Sequence, residues 1–104
     1  MTIEQLEFTE EAGDIDAHDV CIFALSTCGF CKACLRFLRE KSVKFRYVYY
    51  DLLDNEIKDE VRNELKEKYS QRIMFPFVIV DEGTDAMKVI VGFKEEELKS
   101  SLDL

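Results

Sequence analysis

The stretch that most constrains the fold is 20–50, where two apolar runs flank a helical pattern. The first run, VCIFAL at 20–25, is short and rich in β-forming residues. It is bounded by Asp19 and by Ser26-Thr27, so it reads as a buried strand. Phe30, Ala33, Cys34, Phe37 and Leu38 then recur at helical spacing, with Lys32, Arg36 and Arg39 on another face. That is an amphipathic helix ending near 41–42. KFRYVYY, at 44–50, is a second strand. A strand, a helix and a strand in this succession imply a parallel pair with a right-handed crossover.

The remaining pattern completes a small domain. Ile57, Val61, Leu65 and Tyr69 are spaced by four, with charges between them, which predicts a second helix over about 54–69. FVIV (77–80) and MKVIV (87–91) predict a strand pair joined by DEGTDA as an antiparallel hairpin, and 94–102 a closing helix. The expected order is β-α-β-α-β-β-α, an α/β protein with a four-stranded mixed sheet and helices on both faces. Residues 1–18 read as an acidic N-terminal extension, with Ile3, Leu6 and Phe8 placed to touch the body as a short helix; 19–104 form the domain.

Composition narrows the function classes. With 104 residues, 47% of them hydrophobic and eight of them Phe, the chain can bury a core without staples. It has no run of about 18 apolar residues, so no membrane span is expected. Its first residues, MTIEQLEFTEEAGDID, lack the basic and apolar zones of a secretory signal, and a cytoplasmic location is expected. There, four cysteines are expected to be reduced, catalytic or metal-bound rather than a disulfide framework. The net charge of −8 is uneven: residues 1–27 hold seven acids and no Lys or Arg, and 28–50 hold six basic residues and one acid. An acidic chain with one basic helix face is a poor partner for nucleic acid, which demands a broad basic surface.

The basic block begins at Cys28, Cys31 and Cys34, which recur every three residues where strand gives way to helix. Thiol–disulfide exchange needs one thiolate as nucleophile and a second thiol close enough to resolve the mixed disulfide. A C-x-x-C at a helix start supplies both. The first Cys meets unpaired N–H groups and the positive end of the helix dipole, and the second lies one turn on. Cys28 is the expected nucleophile and Cys31 the resolving thiol. Gly29 leaves the turn between them open, and Phe30 is a candidate apolar rim. Cys34 and Cys21 read as small core residues, with Cys34 as a third redox thiol the sharper alternative, and His18 reads as a surface residue without a role.

Pro76, the only proline, stands in IMFPFVIV just before a strand, where a trans strand-entry proline and a cis-proline beside the thiols are both open readings. Cys28-Gly29-Phe30-Cys31 after the first strand, Met74-Phe75-Pro76 before the third, and Val91-Gly92-Phe93 after the fourth together resemble the thioredoxin fold, and the glutaredoxins within it. The resemblance covers 19–102. It implies that Pro76 is cis, that Phe75 lines the site and pairs with an extended substrate strand, and that Arg72 sits where many glutaredoxins keep a basic glutathione contact. Gly92-Phe93 resembles the glutaredoxin-like hydrogen donors that accept electrons from thioredoxin reductase.

Several positions depart from the family pattern. Thr27 stands where thioredoxins carry Trp, and Gly29 where most dithiol glutaredoxins carry Pro. The Lys that often precedes the site has no counterpart among Ala24, Leu25, Ser26 and Thr27, and the Gly-Gly-x-Asp stretch is replaced by Gly92-Phe93-Lys94-Glu95. The resemblance therefore implies a dithiol oxidoreductase acting on protein or small-molecule disulfides as a monomer. Glutathione and thioredoxin reductase both stay open as electron donor. No cofactor is required, with glutathione a possible co-substrate only. A cluster bridged by two chains through Cys28 and glutathione, as in certain glutaredoxins with Gly after the first Cys, is the alternative. A single-chain metal site is not expected, because Leu38 stands where a further ligand would fall and three cysteines spread around one helix. A redox-inactive interaction domain is a third class, which loss of Cys28 or Pro76 would have suggested.

Overall fold

The computed structural model describes residues 3–104. Five strands and three helices form one sheet with helices on both faces. In chain order they are β1 (Thr9–Glu11), β2 (Val20–Ala24), α1 (Gly29–Glu40), β3 (Phe45–Tyr49), α2 (Asn55–Tyr69), β4 (Phe77–Val80), β5 (Lys88–Val91) and α3 (Glu95–Leu102). Single 3-10 turns add Ile3–Gln5 and Tyr50–Leu52. The sheet order is β1-β3-β2-β4-β5. β2 and β3 are parallel, as the crossover through α1 requires, and the other neighbours are antiparallel.

Alternation along β2 divides the core. Val20, Ile22 and Ala24 face α1 and α3, joining Cys31, Cys34, Leu35, Leu38, Leu98 and Leu102. Cys21 and Phe23 face the other way, against Val61, Leu65 and Tyr69 of α2. All five β2 residues are buried, as expected of a central strand covered on both faces.

The sheet has one strand more than the four expected. The extra strand, β1, comes from the acidic extension and pairs with the edge of β3, Thr9 opposite Tyr47 and Glu11 opposite Phe45. The sequence TEE has little strand character of its own; the open β3 edge supplies the pairing. Of the three apolar residues expected to touch the body, Ile3 is buried in the α2-side core, with Leu6 and Phe8 packed beside it. The predicted short helix is the 3-10 turn Ile3–Gln5; residues 1–2 lie outside the described residues. Glu11 forms two hydrogen bonds with Arg39 Nε, at 2.8 and 2.9 Å, tying the acidic segment to the basic helix.

Among the described residues, no helix is long and apolar enough to cross a membrane.

Candidate active site

Strand register brings four separate segments to one end of the sheet. β2 ends at Ala24, and the chain turns through 25–28 into α1. Phe23 pairs with Phe77, so the antiparallel neighbour β4 begins where β2 ends, and the Phe75–Pro76 peptide lies at that same end. Phe77 pairs with Val91, which puts Gly92 and Phe93 there too. β3 runs parallel to β2 with Ala24 opposite Tyr49, so the turn Tyr50–Leu52 closes the group.

Cys28 is the N-cap of α1. Its backbone is extended (φ −92°, ψ 122°), and its sulfur accepts the backbone N–H of Cys31 at 3.2 Å. A sulfur in that place takes the role usually filled by an oxygen, accepting one of the orphan donors of a helix start. Cys28 is partly exposed, whereas Cys31 is fully buried in the α1-side core. Burial, together with the hydrogen bond to Cys28, pushes the Cys31 thiol up to about 12, while the N–H of Leu25, 3.4 Å from its sulfur, acts in the opposite sense. The two thiols therefore have different environments: one half open at a helix terminus, the other covered.

The other predicted residues differ in what they contact. Phe75–Pro76 is a cis peptide bond. Phe75 packs between both halves of the core, with the Tyr50 ring 5.1 Å away. Gly92 adopts φ +90°, and its N–H donates to the Pro76 carbonyl at 2.8 Å, joining the two loops directly. That φ is open to glycine and strained for other residues. Phe93 turns inward, its ring 5.8 Å from Phe37. Arg72 is exposed in the irregular segment between α2 and β4.

Phe30 departs from the helical apolar face: it lies in the first turn of α1, beyond the end of the core, and is 72% exposed. It belongs to the rim that its place between the cysteines suggests. Leu52, 69% exposed, and Met74, 50% exposed, extend the apolar surface on the neighbouring loops.

Cys34 and Cys21 are both buried, as core residues should be, but on opposite faces of the sheet. Burial pushes the Cys34 thiol up to about 12 and that of Cys21 up to about 11, the latter partly opposed by Arg46. His18 departs from its expectation. It bridges Asp81 at 2.8 Å and Asp103 at 3.2 Å, at the opposite end of the sheet from Cys28.

A further contact at the site has no signal in the sequence. The backbone N–H of Ser26 donates to Asp51 Oδ1 at 2.9 Å, and its hydroxyl donates to Oδ2 at 2.5 Å. An Asp in an Asp-rich segment and a Ser at a strand end are individually unremarkable residues; only the closure of β3 beside β2 makes them partners.

This is a thioredoxin-type sheet with a dithiol at a helix start and a cis-proline loop beside it. Comparison with known proteins gives the family. A family model for glutaredoxin matches residues 20–83, more than half the chain. The glutaredoxin from Methanosarcina mazei Go1 is 34% identical, with 93% of this chain and 88% of that one covered at a TM-score of 0.75. Methanosarcina acetivorans methanoredoxin is 33% identical over 88% of this chain and 90% of its own, with a TM-score of 0.73. The glutaredoxin from Archaeoglobus fulgidus is 28% identical over 83% and 87%, with a TM-score of 0.68. No match is found among curated protein sequences. The chain belongs to the glutaredoxin family.

Proposed function

We propose that the protein is a dithiol oxidoreductase that reduces disulfides through Cys28 and Cys31. The observation that carries this reading is the helix-capping contact, Cys31 N–H to Cys28 Sγ. It leaves a partly exposed sulfur that accepts hydrogen bonds better as an anion, one turn from a second thiol. The Cys28 thiolate attacks one sulfur of R–S–S–R′, forming Cys28–S–S–R and releasing R′–S⁻. Cys31, losing its proton, then attacks the Cys28 sulfur. The Cys28–Cys31 disulfide forms and R–S⁻ leaves, so two electrons pass from the protein to the substrate. Two thiols of the donor restore the dithiol.

Phe75 and Pro76 offer backbone beside the sulfurs for an extended substrate, with Phe30 as an exposed apolar wall, Gly92 and Phe93 bordering the loop, and Arg72 available to a carboxylate. The donor is glutathione or a reductase that recognises the protein. The absent Lys and the replaced Gly-Gly stretch favour a protein donor, whereas Arg72 favours glutathione.

The test is glutathione-driven reduction of a small mixed disulfide, wild type beside Cys28→Ser. Activity that vanishes in the variant supports glutathione coupling through Cys28. No activity, in a protein whose Cys28–Cys31 disulfide dithiothreitol still reduces, points to a protein donor. A wild-type protein that forms no reversible Cys28–Cys31 disulfide at all overturns the reading.

A further inference from the structure

The segment 25–28 has no regular structure, yet the hydrogen bonds to the Cys28 and Cys31 sulfurs depend on where it lies. Its path is set by a chain of hydrogen bonds through one peptide group. The Leu25–Ser26 peptide gives its N–H to Asp51 Oδ1 at 2.9 Å, and its carbonyl accepts the Cys28 N–H at 3.3 Å. One residue earlier, the Leu25 N–H points at the Cys31 sulfur. The Ser26 hydroxyl adds a second bond to the same carboxylate, so Asp51 grips Ser26 at two points. Two donors on one carboxylate fix both position and rotation, which a single bond would not.

Asp51 is itself held. It sits in the turn Tyr50–Leu52, closed by Leu53 N–H to the Tyr50 carbonyl at 3.2 Å. The Tyr50 hydroxyl donates to the Lys58 carbonyl at 3.1 Å, and the Tyr50 ring packs at a tilt against Phe75, next to the cis-proline. One turn thus touches both the thiol loop and the proline loop.

We propose that Asp51 is a positioning residue for the dithiol: through the Leu25–Ser26 peptide it seats Cys28 at the head of α1 and aims the Leu25 N–H at Cys31. This rests on the reading of Cys28 as the attacking thiol. Hydrogen-bonded chains of this kind strengthen along their length, so an anion at one end supports the Cys28 N–H contact at the other. Removing the anchor loosens the sulfur from the Cys31 N–H that it caps.

The sign of the effect separates positioning from simple charge. A carboxylate acting only across space opposes a nearby thiolate, so its removal would move thiolate formation to lower pH. Loss of positioning moves it to higher pH. The experiment is the pH profile of Cys28 alkylation in the full chain, with Cys28→Ser defining the signal. Asp51→Ala is expected to shift the midpoint up by about half a pH unit or more, the size of one weakened hydrogen bond. Asp51→Asn keeps an oxygen for the Ser26 N–H without the charge, and is expected to recover most of that shift.

A midpoint in Asp51→Ala that is unchanged or lower overturns the proposal, as does an Asp51→Asn that recovers nothing. Should Asp51→Ala not fold, as read from its thermal melt, Ser26→Ala removes the hydroxyl bond alone. An upward shift there supports the proposal, and no shift overturns it. If wild type shows no labelling that Cys28→Ser abolishes, the reading of Cys28 falls and takes the proposal with it. The midpoint results bear on Asp51 alone.

Discussion

The Cys31 backbone N–H donates to the Cys28 sulfur at 3.2 Å, while the Cys31 sulfur itself is sealed in the core. The pair is asymmetric by construction. Of the four thiols, Cys21, Cys31 and Cys34 are buried and pushed up to about 11, 12 and 12 respectively, each chiefly by burial. A brief exposure of the reduced protein to iodoacetamide near neutral pH is expected to place one adduct, on Cys28. Peptide mass spectrometry checks it. Cys28→Ser should remain unmodified over the same interval, and Cys31→Ser should still react and should trap a mixed disulfide with substrate. Parallel modification of two or more cysteines in wild type would contradict the asymmetry.

The N-terminal arm is pinned at Gly13 by close backbone approach. A Cβ there would meet the Ser42 carbonyl oxygen at 2.4 Å and the Lys44 nitrogen at 2.5 Å. The approach is what lets Ile15 exchange backbone hydrogen bonds with Ser42 and Lys44, both at 2.9 Å. Gly13→Ala must push the arm away or shift the α1–β3 loop. The expected cost is about 2 kcal/mol, typical of overpacking against backbone. A urea unfolding curve measures it; a midpoint equal to wild type would mean that the arm is not held as described.

The elements that position the dithiol were legible because their periodicity is strong. VCIFAL, the helical spacing from Ala33 to Leu38, and the four-residue spacing from Ile57 to Tyr69 each match their element within a residue or two. The cysteines and Pro76 were legible because their residue types are rare and their chemistry is narrow. What was not legible depends on tertiary closure. β1 is three polar or charged residues made into a strand by the edge of β3. Asp51 and His18 acquire partners 25 and 63 or more residues away, and no local pattern marks such pairs. Phe30 fits the helical stripe by spacing but lies where the helix overhangs the core, so period alone misplaced it.

His18 holds the end of the sheet remote from the thiols and makes stability depend on pH. The hydrogen bond to Asp81 raises the His18 pKa above its ordinary 6.5, burial opposes this, and the bond to Asp103 adds to it. The Asp81 carboxyl is lowered, first by the same His18 bond. A raised His contributes stability that is full below its unfolded value and fades as pH rises through the folded value. A lowered Asp contributes above its unfolded value and loses it in acid. The clasp is therefore strongest between the ordinary ranges of the two groups, about pH 4 to 6.5. His18→Asn is expected to destabilise the protein more at about pH 5.5 than at about pH 8.5. Urea midpoints of both proteins at the two pH values check this, and an equal loss at both would remove the charge component.

Three of the five exposed large apolar side chains among the described residues, Phe30, Leu52 and Met74, lie on loops at the dithiol end. Surface this apolar is costly to leave in water and gains by contact with a partner. On the proposed function, that partner is the polypeptide around a substrate or donor disulfide, whereas a small disulfide reaches Cys28 without spanning the rim. Leu52 is the discriminating position, because it is remote in sequence from both Cys28 and Pro76. Covering part of a Leu side chain is worth roughly 1 kcal/mol, about fivefold in affinity. Leu52→Ser is therefore expected to raise KM for a protein disulfide about fivefold, with a much smaller change for a small mixed disulfide. Steady-state kinetics on the two substrates check it. Equal changes on both would assign Leu52 to the shape of the site itself, acting through its neighbour Asp51, rather than to contact with a protein partner.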